Sequence, residues 1–221
     1  AGIKTPAFAL IQMLDCIETD CSHLQYPLFV KPDKAGDSLG IDEHSLVYNK
    51  EDLVKKAGSI IEEYGPLLVE EYIEGREFTV MLAANANDER TCTVFKPIEY
   101  IFPKGFRFKT YALKTSELHP EANIPCNDPV LEMQLKDAAL QIFRGFGGVG
   151  YARLDFRVND KNEIFFLEIN FTCSVFYKDG YEGSADYILK ADGIGQAGFL
   201  QKIIEEGMAR HQRRQKKYTM K

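Results

Sequence analysis

Arg153-Leu154-Asp155-Phe156-Arg157 and, beyond the polar turn Asn159-Asp160-Lys161-Asn162, Phe165-Phe166-Leu167-Glu168-Ile169-Asn170 decide how this chain is read. Both runs are short, aromatic and β-branched, the signature of two strands joined by a turn. Residues two apart in a strand share a face, so Arg153 points with Asp155 and Glu168 with Asn170. A hairpin with an even-numbered loop would bring all four to one face. That face would then hold one cation, two carboxylates and one amide. Carboxylate and amide oxygens are hard donors, suited to Mg²⁺ or Mn²⁺ rather than zinc. Mg²⁺ keeps several waters and takes one or two carboxylates plus substrate phosphates, so the patch asks for a phosphorylated partner. The alternative is a solvated sheet face with an Arg153–Glu168 salt bridge.

Working outward, 221 residues suffice for one large or two small domains. The net charge of −6 argues against general nucleic-acid binding. No apolar run reaches the roughly 20 residues of a membrane span, and the first residues lack a signal-peptide pattern. Five scattered cysteines without a C-x-x-C pair fit a reduced, cytoplasmic setting and argue against structural zinc.

Thr5-Pro6 predicts a short helix through about Leu14. Tyr26 to Lys31 reads as a strand, followed by the glycine loop Pro32 to Ile41, whose Lys34, Gly36, Ser38 and Gly40 suit a flap over phosphates; a surface hairpin is the other reading. Asn49 caps an amphipathic helix to Tyr64, with Leu53, Val54, Ala57, Ile60, Ile61 and Tyr64 as the inner stripe. Leu67 to Ile73 and Arg76 to Leu82 read as strands. Carboxylates inside an apolar strand are costly without partners, so Glu70 and Glu71 are edge residues or ligand contacts. Thr91 to Glu99 reads as one strand. Asp128-Pro129 opens a second strong helix, with Leu131, Leu135, Ala138, Ala139, Ile142 and Phe143 inward. A short helix is expected near Ser184 to Ala191 and a final helix from about Gln196 to Arg210, then a frayed basic tail at Arg213 to Lys217.

Four pieces occur in a telling order: Phe29-Val30-Lys31-Pro32 with its loop, Val69 through Val80, Arg153-Leu154-Asp155-Phe156, and Leu167-Glu168-Ile169-Asn170. The chain thereby resembles the ATP-grasp superfamily, and within it the D-alanine–D-alanine ligases. The resemblance implies an α+β ATP-grasp fold of two subdomains, 1–76 as the lid and 77–221 with the metal site, holding nucleotide between two antiparallel sheets. It implies ATP and two Mg²⁺ ions as cofactors, with Mn²⁺ as an alternative ion. Asp155, Glu168 and Asn170 match the metal ligands. Lys31, Ser38, Glu70, Glu71, Tyr72, Ile73, Glu77 and Leu167 match nucleotide contacts, Lys31 to phosphate and Glu77 to ribose. Arg153 and Lys114 match cations beside the transferred phosphate, and Ser174 aligns with the oxyanion glycine, where its backbone N–H would donate.

The implied reaction forms a peptide bond from amino acid or dipeptide substrates through an acylphosphate, with no nucleophilic side chain, so Cys173 and His119 are bystanders. A further N-terminal domain is expected as partner, and a homodimer is one candidate assembly. Three departures lie on the acceptor side. Phe171 to Gly180 lacks the family's Pro-Gly turn, Asp37 replaces a flap serine, and Thr115 follows Lys114. A nucleotide-binding module without ligase activity, regulatory or scaffolding, is therefore the competing reading.

Overall fold

Two antiparallel sheets are the frame of the computed structural model, which describes residues 2–36, 38–88, 91–111, 113 and 120–219. The chain divides into two compact units. One comprises Thr5–Glu74 and Phe102–His119, the other Ala1–Lys4, Gly75–Ile101 and Pro120–Lys221. Beside the expected division at 76/77, the break falls two residues earlier, and Phe102–His119 groups with the first unit.

In the first unit, β1 (Phe8–Ile11), β4 (Leu67–Glu71), β2 (Leu28–Pro32) and β3 (Leu46–Val47) lie in the order β1-β4-β2-β3. One face carries Ala9, Ile11, Leu28, Val30, Leu67 and Val69, packed with Leu53, Ala57 and Ile60 of α2 (Lys50–Tyr64) and Ile17 of the one-turn α1 (Ile17–Asp20). Asn49 caps α2 as expected, its side chain accepting from Asp52 N at 2.9 Å. The expected helix from Thr5 is instead strand β1, paired antiparallel with β4 from Phe8↔Glu70 to Ile11↔Leu67. Four residues alternating exposed and buried can serve either element, and the ladder offered by β4 decides. β4 is consequently interior, so Glu70 and Glu71 are not edge residues.

In the second unit, β5 (Arg76–Ala84) is flanked by β9 (Tyr151–Val158) and β7 (Ile98–Tyr100), with β10 (Ile164–Phe171) outside β9 and β8 (Asn123–Pro125) outside β7; β6 (Cys92–Val94) also pairs with β5. Thr91 to Glu99 is thus two strands, not one. Phe95 N still donates to Met81 O (2.9 Å), but Lys96 N turns to Asp192 Oδ2 (3.0 Å) and Pro97 has no N–H to offer. Phe78, Val80, Leu82, Ala152, Leu154, Phe156 and Val158 form one sheet face, covered by Leu131, Leu135, Ala138, Ala139, Ile142 and Phe143 of α3 (Pro129–Gly145). Each fully buried Leu or Phe there contributes about 1.5–3 kcal/mol. Asp128 caps α3, accepting from Val130 N (3.0 Å) and Leu131 N (3.1 Å).

The opposite face is covered at one end by α4 (Ser184–Asp192) and α5 (Gly195–Thr219), through Ile188, Leu189 and Phe199 on Met81, Phe95 and Ile98. The expected frayed tail is helical, since α5 continues to Thr219 and Arg213 Nη1 donates to Ala86 O at 2.7 Å. Gly75 leads into β5 at φ +142°, and a Cβ there would lie 2.1 Å from Val158 O, so only glycine lets these backbones approach.

Candidate functional site

The remainder of the α4–α5 face of the larger sheet is polar, and strand register puts it there. β5 and β9 pair Glu77↔Arg157, Thr79↔Asp155 and Met81↔Arg153, so these six side chains share one face. β10 adds Glu168 opposite Asp155 and Asn170 opposite Arg153.

That last pairing arises differently from the expectation. The β9–β10 loop runs from Asn159 to Glu163, an odd-numbered loop, because Ile164 pairs with Val158. Continued unbroken, this register would set Leu167 opposite Asp155 and turn Glu168 toward the apolar core. A bulge between Phe166 and Glu168 takes up Leu167 as an extra residue and shifts the remainder of β10 by one position. Glu168 and Asn170 thereby join the polar face. Leu167 acts through the backbone register, a role its apolar side chain does not announce.

Arg153 Nη2 donates to Asp155 Oδ2 at 3.2 Å, with both side chains mostly buried (17% and 19% exposed). The Arg153–Glu168 bridge considered from sequence gives way to this same-strand pair. Asp155 holds the Arg153 guanidinium firmly protonated against the opposing effect of burial. Asn170 Nδ2 donates to Glu168 Oε1 (2.9 Å), and Arg157 Nη2 to Glu77 Oε2 (3.2 Å). Two polar atoms of the face are buried without a partner, Thr79 Oγ1 and Arg153 Nε.

Beyond Asn170 the chain turns sharply, with Thr172 at φ 52° and Phe176 at φ 71°. Cys173 is buried and burial pushes its thiol up to about 11, so it is inert near neutrality. Ser174 is exposed in this turn. Asp186, which sequence reasoning passed over, ties the turn down. It accepts from Phe176 N (2.9 Å), Gly183 N (3.1 Å) and Gln196 Nε2 (2.8 Å) while only 4% exposed. An acid at the third position of α4 was its sequence signal.

In the smaller unit, Lys31 and Glu70 lie on the sheet face away from α2 and form an ion pair at 2.6 Å. Glu71, one residue on, points to the other face and accepts from Gln25 N (2.9 Å), which separates it from Glu70. Tyr72 packs with Phe29 and Phe108, its hydroxyl donating to Arg107 O at 2.8 Å, and Ile73 is half-buried. Ser38 is buried at φ 59° in the glycine loop. Just past that loop, Asp42 Oδ1 accepts from the buried Lys56 at 2.8 Å. Asp37, Lys114, Thr115 and His119 lie outside the described residues.

The donor chemistry fits a hard divalent cation. Two carboxylates and an amide share one face, and among the described residues no cluster of three or more His, Cys, Asp or Glu offers an alternative metal site. A family model for the D-ala D-ala ligase C-terminus matches residues 1–177. The chain belongs to this family.

It is 30% identical over 203 residues to a D-alanine–D-alanine ligase of Staphylococcus saprophyticus, covering 89% of this chain and 52% of that protein. To D-alanine–D-alanine ligase B of Clostridium tetani it is 36% identical over 149 residues, 66% of this chain and 39% of the relative. The chain thus spans about half the length, or less, of these relatives. Among solved structures, the VanG D-Ala:D-Ser ligase of Enterococcus faecalis superimposes with a TM-score of 0.72 at 24% identity, over 93% of this chain and 57% of that one. A Bacillus anthracis D-alanine–D-alanine ligase complexed with ATP gives 0.67 at 21%, over 97% and 63%. The fold is the α+β ATP-grasp fold, as the resemblance implied.

Proposed function

We propose that this chain is the nucleotide- and metal-binding part of an ATP-dependent carboxylate–amine ligase of the D-alanine–D-alanine ligase type. The observation that carries this reading is the shared face of Arg153, Asp155, Glu168 and Asn170, produced by a bulge that a merely structural hairpin does not need. Asp155, Glu168 and Asn170 would hold the cations, Mg²⁺ or Mn²⁺. These supply neutralisation of charge on the phosphoryl group in transit.

In the reaction, a substrate carboxylate oxygen bonds to the γ-phosphorus of ATP and ADP leaves. An amine nitrogen then bonds to the acyl carbon, inorganic phosphate leaves with the acyl C–O electron pair, and the amine gives up a proton. Arg153, kept charged by Asp155, faces the phosphate and the oxyanion, with Lys114 as a second cation. The Ser174 N–H donates to the oxyanion. Lys31, Ser38, Glu70, Tyr72, Ile73, Glu77 and Leu167 contact nucleotide, as does the Glu71 segment, whose side chain accepts from Gln25 N. The glycine loop excludes water that would hydrolyse the acylphosphate. Amino acid or dipeptide substrates, a further N-terminal domain, a homodimer and a cytoplasmic setting complete the reading. It is consistent with five unpaired cysteines and with the lack, among the described residues, of a helix long and apolar enough to cross a membrane.

Full-length protein with Mg-ATP and amino-acid mixtures should release ADP and phosphate only when both carboxylate and amine are supplied. Release of ADP without a carboxylate would overturn ligation. Nucleotide binding without any turnover would favour the module reading, which the reshaped turn at Phe171–Gly180 supports. Glu168→Gln should severely weaken metal-dependent nucleotide affinity.

A further inference from the structure

Thr79 stands apart from the groups already assigned. It is a hydroxyl residue in the central strand β5, 4% exposed, and its Oγ1 has no hydrogen-bond partner. Its cross-strand neighbours on that face are Asp155 on β9 and the buried Ile98 on β7. A buried, unpaired hydroxyl is costly, and buried side-chain oxygens are nearly always satisfied. If the position served packing alone, valine would fill the same volume without that cost. Along β5 the residues on the opposite face, Phe78, Val80 and Leu82, are all apolar. The hydroxyl is therefore found only where the strand faces the acids.

A second orphan adjoins it. Arg153 Nε is also buried without a partner, while Nη2 is engaged by Asp155. Both unsatisfied atoms thus flank the carboxylate proposed to take a cation. An oxygen-rich guest and its waters would satisfy them together.

We propose that Thr79 is a positioning residue whose hydroxyl holds Asp155, directly or through one water, in the orientation that takes a divalent cation. The inference rests on the metal-site reading above. Residues that orient a ligand typically change metal affinity 10–100-fold when removed.

The test compares Thr79→Val and Thr79→Ser in this chain, with Asp155→Asn as control. Mn²⁺ affinity is measured in the presence of ADP by electron paramagnetic resonance, and the unfolding midpoint in urea without ligands. The expected result is a loss of Mn²⁺ affinity of roughly tenfold or more in Thr79→Val, with a midpoint no lower than wild type and near-normal affinity in Thr79→Ser. Wild-type affinity in Thr79→Val, alongside loss in Asp155→Asn, overturns the role of Thr79 and leaves the metal site standing. Equal losses in the valine and serine variants, or a valine variant that loses affinity together with stability, also overturn it, because packing would then be responsible. Unchanged affinity in Asp155→Asn overturns the site reading itself.

Discussion

Glu168 lies directly opposite Asp155 across β10 and β9, and it does so only because Leu167 is taken up in a bulge. The two carboxylates come from strands whose loop, by itself, would have put them on opposite faces. Register shift, not loop length, assembles the acidic face.

Deleting Leu167 should therefore leave the acidic face assembled, because it removes only the residue that the bulge takes up. With Leu167 gone, Phe166 stays opposite Phe156 and Glu168 follows it directly, opposite Asp155 in an unbroken ladder. Mn²⁺ binding should survive the deletion and the fold should keep most of its stability, because the residue removed is paired with nothing on β9. Calorimetry with Mn²⁺ and ADP, together with urea unfolding, checks both. Leu167→Ala, which keeps the bulge, should bind metal nearly as wild type.

Arg153→Met should destabilise the fold by roughly 3 kcal/mol, because it leaves Asp155 mostly buried without its cation. The double variant Arg153→Met/Asp155→Leu should recover much of that loss. Urea unfolding of the four proteins of the cycle measures the coupling. Ligase turnover, assayed in the full-length protein, should fall in every variant.

Gly75→Ala should cost more than about 2 kcal/mol, since the added Cβ would meet Val158 O at 2.1 Å and the backbone sits at φ +142°. Gly65→Ala meets no atom within 4 Å although it too has positive φ, so it should cost visibly less. Thermal midpoints of the two variants give the comparison.

Alkaline pH should weaken the fold partly through two buried thiols. Burial pushes Cys21 and Cys173 from an ordinary value of 9.0 to about 11. Below pH 9 both states keep these protons, so the contribution is intact. Between about 9 and about 11 the unfolded chain ionises while the folded one does not, and stability is lost as pH rises. Several tyrosines are also raised, so the thiol part is isolated by difference. A Cys21→Ala/Cys173→Ala variant should show a shallower fall in urea midpoint across that window.

Some of this architecture was readable from local chemistry. The helices Lys50–Tyr64 and Pro129–Gly145 announce themselves by an Asn or Asp cap and an apolar period near 3.6, both properties of contiguous residues. The Phe8–Ile11 strand did not, because four residues carry too little period and the choice belonged to β4. The single strand expected over Thr91–Glu99 failed where Asp192, far along the chain, captures Lys96 N.

The candidate site divides the same way. Alternation alone determined that Arg153 shares a face with Asp155 and Glu168 with Asn170, because side-chain direction along a strand is a local consequence of the pleat. Residue type alone determined that such a face would suit a hard cation and phosphate. Whether the two strands present those faces together was decided by the bulge at Leu167. That Thr79 lacks a partner and that Asp186 anchors the following turn were decided by packing. Register and partnership are relations between distant backbones, and a period of two is equally satisfied by either register until tertiary contacts choose one.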